Sequence, residues 1–347
     1  MSVDTQQSPV TKAEEHPSKT PASSRFLAGF TGVRDGAPAV ERYGGVALLI
    51  VLIIVFSFTS SQFFTSQNFI GIAGNQADQG LLSIGLLFPL ACGVFDVSVS
   101  GIMTLSVVAV TWLFQITNGS MPIPLAIVIV LAAAVAAGLI NAGLIVKLGI
   151  DPFIATIGTS SIFEGLSQIM GNGETITMHI PAAFVSFGEA KIGSVPVAVI
   201  ITLVVAIIVW YILAQTPGGR LIYATGAARD AARLSGIRTN RVLACAYIAS
   251  ALGAAMAGII FAAQQGAGAP GVGQSFLLPA YATVFLGGTI LKPGRFNVWG
   301  LIVAILIIAV GINGLELLGG PFWIQDLFEG GALIGAVALS TARSRRR

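Results

Sequence analysis

The chain has 347 residues, of which 55% are hydrophobic and only 10% charged, and its formal net charge is +3. A soluble domain carries about 25% charged residues, so there is too little charge here to clothe a soluble surface, and an all-α membrane protein is expected. The small basic excess falls in short segments between apolar runs, which argues against a nucleic-acid partner, and two distant histidines (His16 and His179) with two cysteines inside apolar stretches (Cys92 and Cys245) argue against metal, His-triad or disulfide chemistry.

Residues 1–43 are polar, mixed in charge and without an apolar h-region, so they are read as a disordered cytoplasmic tail rather than a signal peptide. A helix needs roughly 20 apolar residues to cross a bilayer core. Within the membrane domain expected at 44–341, clear spans lie at 44–64, 98–117, 123–146, 195–214, 242–264 and 297–318. Weaker ones lie at 70–92, 153–172, 276–291 and 323–341; they are short or carry Asp78, Glu164, Asp326 and Glu329, as re-entrant or broken helices do. About ten transmembrane helices (eight to ten) are expected, followed by a basic cytoplasmic tail at 342–347. The 42 glycines suit close helix packing in lipid.

Charge fixes an orientation. With ten spans and the N-terminus inside, seventeen of the eighteen basic residues fall on the inner side, and only Lys191 falls outside. Cytoplasmic loops carry such an excess of Lys and Arg, so both termini are expected in the cytoplasm. Removing two adjacent weak spans leaves this parity intact, so sidedness is better fixed than helix number. The largest outer loop, 173–194, is too short for a folded domain.

Five of the inner arginines crowd into one loop, 215–241. There Ala227, Ala231 and Leu234 recur at i, i+4 and i+7, one face of a short helix. Thr225 is a candidate N-cap and Gly236 a natural stop. So short a helix is marginal alone in water and needs a packing partner. Within the apolar segments, Asp96, Glu164, Glu316, Asp326 and Glu329 are costly in lipid and are candidate functional or capping groups. Asp96 stands out, at a Gly93–Gly101 break and beside Ser98 and Ser100.

The loop residues Gly219, Arg220, Tyr223, Ala224 and Gly226, continued by Asp230, Ala231, Ala232, Arg233, Leu234, Ser235, Gly236 and Ile237, form a recognisable pattern. It resembles the coupling motif of bacterial sugar ABC importer permeases of the ribose, xylose, arabinose and galactose type, which usually have Glu in place of Asp230. Phe95–Val99, Asn141, Pro152–Thr159, Gly287–Thr289, Gly294, Asn313–Leu315 and Leu318–Gly319 agree with the same family, whereas Glu164 departs from it. The resemblance spans roughly residues 45–340.

The resemblance implies a transport subunit in the bacterial inner membrane, not an enzyme, with no cofactor. Its coupling region would comprise Arg220, Tyr223, Gly226, Asp230, Ala231, Ala232, Arg233, Leu234, Ser235 and Gly236. Expected partners are a second permease copy (homo- or heterodimer), a cytoplasmic ATP-binding subunit, a periplasmic or surface-tethered sugar-binding protein, and the lipid bilayer. No G-x-x-x-x-G-K-[ST] run occurs in the chain, so ATP is expected on a partner. Sugars are neutral and rich in hydroxyls, and Asp96, Ser98, Asn141, Phe153, Thr159 and Asn313 are the candidate translocation path. Asn75, Gln76 and Gln79 offer further amides. The alternative is an ion-coupled secondary transporter of a small polar solute that uses Asp96 or Glu164.

Overall fold

The computed structural model describes residues 39–321 and 323–344; residues 1–38 of the expected tail and Arg345–Arg347 lie outside the described residues. The described chain is almost wholly helical. In order come α1 (Ala39–Thr59), α2 (Ser66–Asn75), α3 (Ala77–Ala91), α4 (Ser98–Ile116), α5 (Ile123–Ala142), α6 (Pro152–Gly171), α7 (Ala182–Glu189), α8 (Val197–Gln215), α9 (Pro217–Ala227), α10 (Arg229–Leu234), α11 (Thr239–Gln265), α12 (Val272–Gly287), α13 (Val298–Leu317) and α14 (Ile324–Ser344). A π-helix, Gly143–Lys147, prolongs α5. A small antiparallel hairpin, β1 (Lys191–Ile192) with β2 (Val195–Pro196), leads into α8.

Among the described residues, six helices are long and apolar enough to cross a membrane: α1, α4, α5 with its π-helical extension, α8, α11 and α13. They coincide with the six clear spans, although α1 begins at Ala39, five residues earlier than expected. Helices α3 and α12 are apolar but shorter. The segment expected at 70–92 is broken at Gln76, whose backbone leaves helical geometry at φ −100° and ψ 3°. Asp78 then opens α3. Its Oδ1 accepts from the Gln79 amide at 2.8 Å, and it sits where the helix dipole favours an anion.

Large apolar side chains cover much of the outer surface, and polar side chains are drawn into an otherwise apolar interior. Leu48, Val51 and Ile54 on α1, Val128 on α5, and Val204 and Ile208 on α8 are exposed, whereas Asp96, Ser98, Asn141 and Thr159 are buried. In lipid, backbone groups must be satisfied within the protein and polar side chains turn toward the bundle interior, so this is a polytopic all-α membrane protein. Helix α11 stands at the centre and packs against α3, α4, α5 and α7. Small residues bring these backbones close. A Cβ placed on Gly85 of α3 would lie 3.0 Å from the Ser250 carbonyl oxygen and 3.1 Å from Gly253 Cα, both in α11.

Candidate functional site

The 215–241 loop is two helices, not one. Thr216 accepts from the Gly219 amide at 3.4 Å and Pro217 occupies the first turn, so α9 starts early and runs through Thr225. The expected N-cap at Thr225 is therefore corrected: the residue is buried inside α9 and its hydroxyl donates to the Leu221 carbonyl at 2.8 Å. The chain breaks at Ala228, whose extended backbone (φ −160°) caps α10 without a side-chain bond. At the far end Gly236 adopts φ +84°, a conformation glycine takes without steric cost, and the Ile237 amide closes onto the Ala232 carbonyl at 3.0 Å.

The candidate coupling residues divide into an outer and an inner set. Arg220, Asp230, Ala231, Arg233, Ser235 and Gly236 are exposed with Ala227, and Leu234 is 90% exposed. Asp230 lies in the first turn of α10 and Arg233 in the last, each sign matching the helix dipole. Ala232 faces inward at 7% exposure. Tyr223 and Gly226 are also turned to the protein. The Tyr223 hydroxyl donates to the Phe296 carbonyl at 2.6 Å, and the Arg295 guanidinium stacks 3.6 Å from its ring centre. Burial raises the Tyr223 phenol above its ordinary pKa, against the opposing pull of Arg295, so it remains a proton donor. A Cβ on Gly226 would overlap the Ala91 carbonyl oxygen at the end of α3.

Four of the six path candidates form one buried chain of hydrogen bonds. Ser98 donates to Asp96 Oδ1 at 2.5 Å, Asn141 Nδ2 donates to Ser98 Oγ at 2.7 Å, and Thr159 donates to Asn141 Oδ1 at 2.7 Å. The chain ties the turn before α4 to α5 and α6. The Asp96 amide also donates to the Tyr281 hydroxyl at 3.1 Å, and Tyr247 donates to the Phe95 carbonyl at 3.1 Å. Phe153, half exposed, meets Phe95 edge-on with ring centres 6.3 Å apart.

Asn313 stands apart from this network. It lines a cavity of about 770 Å³ among α2, α3, α12, α13 and α14. The Asn313 Oδ1 accepts from Asn68 at 2.9 Å, which fixes its amide in the wall. Asn75, Gln76 and Gln79, flanking the break between α2 and α3, line the same cavity, as do Gln62, Gln67, Phe276, Thr283, Glu316, Gln325 and Glu329. Glu329 is buried and accepts from Gln325 at 2.9 Å. Among the described residues that line it, none is Lys, Arg or His. Gln62, Gln67 and Asn68 were not singled out from sequence, although six amide side chains within residues 62–79 are a readable signal. Glu164 lies outside the cavity lining; both its oxygens are buried without a hydrogen-bond partner, and it neighbours Gly271 at the start of α12.

The family described as the permease component of the branched-chain amino acid transport system matches residues 68–337. The chain belongs to this permease family. Among its relatives, the ribose import permease protein RbsC of Bacillus subtilis (strain 168) is 34% identical over 306 residues, covering 88% of this permease and 94% of the relative. The D-allose transport system permease protein AlsC of Escherichia coli (strain K12) is 30% identical, covering 88% and 93%. The autoinducer 2 import system permease protein LsrD of the same organism is 29% identical, covering 85% and 92%. No solved structure matches the permease. The resemblance carried by the 215–241 motif is thus borne out at the level of the family.

Proposed function

We propose that this permease is the membrane-spanning subunit of an ABC importer that carries a sugar or sugar-like solute into the cytoplasm. The observation that carries the proposal is the α9–α10 segment. It leaves Ala227, Ala231 and Leu234 exposed, while Tyr223, Gly226 and Ala232 bind the same segment to the rest of the chain. An exposed leucine beside small alanines is the surface a partner groove accepts, and the sequence carries no phosphate-binding loop of its own. The partner is a cytoplasmic ATPase.

The cavity supports the solute class. Amides, hydroxyls and carboxylates beside Phe276 suit a neutral, hydroxyl-rich solute, and with no cationic side chain among the described lining residues a free amino acid's carboxylate would find no ion-pair partner there. In the full arrangement about ten helices (eight to ten) cross the bacterial inner membrane with both termini in the cytoplasm. A second permease copy, identical or a sister chain, completes the path, and a periplasmic or surface-tethered binding protein delivers the solute. Uptake of radiolabelled D-ribose and D-allose in cells expressing the complete importer tests the mechanism. Uptake is expected to stop on ATP depletion and to survive a protonophore in ATP-replete cells. Uptake that survives ATP depletion and fails with the protonophore would establish an ion-coupled carrier instead.

A further inference from the structure

Helix α9 is fastened at two places of different character to elements whose other residues line the cavity. The first is the backbone contact between Gly226 and Ala91, where α9 meets the end of α3. Packing of this kind resists compression but does not pull. The second runs through Tyr223, which is gripped on its hydroxyl by the Phe296 carbonyl and on its ring by Arg295. A hydrogen bond combined with a stacked guanidinium is directional and holds in tension as well as compression.

Residues 295–297 are in turn a rigid joint. Phe296 is fully buried and its ring meets Phe285 of α12 at 5.8 Å. Asn297 donates to the Gly287 and Ile290 carbonyls at 3.3 and 3.2 Å, and its Oδ1 accepts from the Gly300 amide at 2.7 Å, which caps α13. The joint therefore holds the end of α12 to the start of α13. Those two helices carry Thr283, Ile308 and Asn313 to the cavity, and Thr283 is hydrogen-bonded to Ser83 of α3 at 2.9 Å.

We propose that Tyr223, clamped between Arg295 and the Phe296 carbonyl, is a positioning residue that carries motion of α9 into α12 and α13 and so to the cavity. The proposal rests on the reading that α9 and α10 dock an ATPase. It goes beyond that reading by naming the internal link through which the stroke passes. Tyr223 thus acts behind the docking face and is not part of it.

The test uses the assembled importer in proteoliposomes, with Ile308→Cys in a Cys92→Ser, Cys245→Ser background as reporter. Ile308 lines the cavity and is 2% exposed, so N-ethylmaleimide reaches a thiol there only when the cavity wall moves. With Tyr223 present, ATP with vanadate is expected to change the alkylation rate by about fivefold or more, the range of ordinary coupling between sites. In Tyr223→Ala and Arg295→Ala that response is expected to fall below about twofold while the ATPase stays bound and hydrolyses ATP. Tyr223→Phe, which keeps the stacked ring and loses the hydrogen bond, is expected to fall between. An undiminished response in both alanine variants overturns the proposal. If Tyr223→Ala does not assemble, Tyr223→Phe and Arg295→Ala decide on the same criterion. A native permease that retains no ATPase overturns the docking reading, and the link with it.

Discussion

Asn141 offers a sharp separation between a packing role and a path role. Its amide donates to Ser98 and accepts from Thr159, both at 2.7 Å, and its side chain is 1% exposed. Asn141→Ala removes both interhelical bonds. Thr159 keeps the Thr156 carbonyl as an acceptor at 3.2 Å, and the Ser98 proton stays on Asp96, so no donor is orphaned. At about 0.6 to 1.7 kcal/mol for each interhelical side-chain bond in a membrane protein, the loss comes to about 1–3 kcal/mol. Asn141→Asp is expected to cost more, because it turns a second carboxylate toward a hydroxyl whose proton is already committed. Reversible unfolding in mixed micelles, followed by tryptophan fluorescence, gives the stability change, and uptake per folded permease gives the function. Lower stability with uptake retained is the expected pair. Unchanged stability with uptake abolished would refute the packing argument and put Asn141 on the path.

Leu234→Asp is expected to weaken ATPase binding by at least about tenfold without changing the permease's own unfolding, since burying a leucine is worth about 1.5–3 kcal/mol; quantitative pull-down and an unfolding curve check both halves. Gly226→Ala forces a methyl onto the Ala91 carbonyl and is expected to destabilise by about 1–3 kcal/mol, measured as a lower melting temperature in detergent. Asn313→Leu removes an amide from the cavity wall and the acceptor of Asn68; solute uptake is expected to fall while ATPase binding is unchanged. The Tyr223 phenol is neutral when protonated and its pKa is raised by the fold. Its bond to Phe296 is therefore expected to persist below the ordinary tyrosine pKa of about 10 and to be lost only as pH rises past the elevated value. A near-ultraviolet difference titration of the native chain against Tyr223→Phe measures this.

Helix identity was legible wherever apolar length alone decides the outcome. The six long spans needed nothing but hydropathy, because lipid leaves a long apolar segment no alternative to helix. The break at Gln76 was less legible, since the apolar run continues through it and only neighbouring amides and Asp78 mark the place. The exposed residues of the 215–241 loop were partly legible: the i, i+4, i+7 spacing of Ala227, Ala231 and Leu234 picked out residues that are exposed, even though Ala227 and Ala231 stand on different helices. The Thr225 cap failed because Thr216–Pro217 supplied an earlier and stronger start. For the cavity, chemistry was legible and location was not. Asn141 and Asn313 look alike in sequence, yet one is consumed by neighbouring hydroxyls and the other stands in an open wall. Only tertiary contact separates them, as it does the Tyr223 link, whose partners lie more than seventy residues away.

The crossing of α3 and α11 at Gly85 and Gly253 has a mechanical meaning. Interlocked side chains would have to climb over one another before either helix could shift, and each step would strain rotamers in a densely packed interior. At this one crossing main chain rests on main chain instead. A methyl on either glycine would wedge the helices apart, so these two residues set the spacing of the central pair.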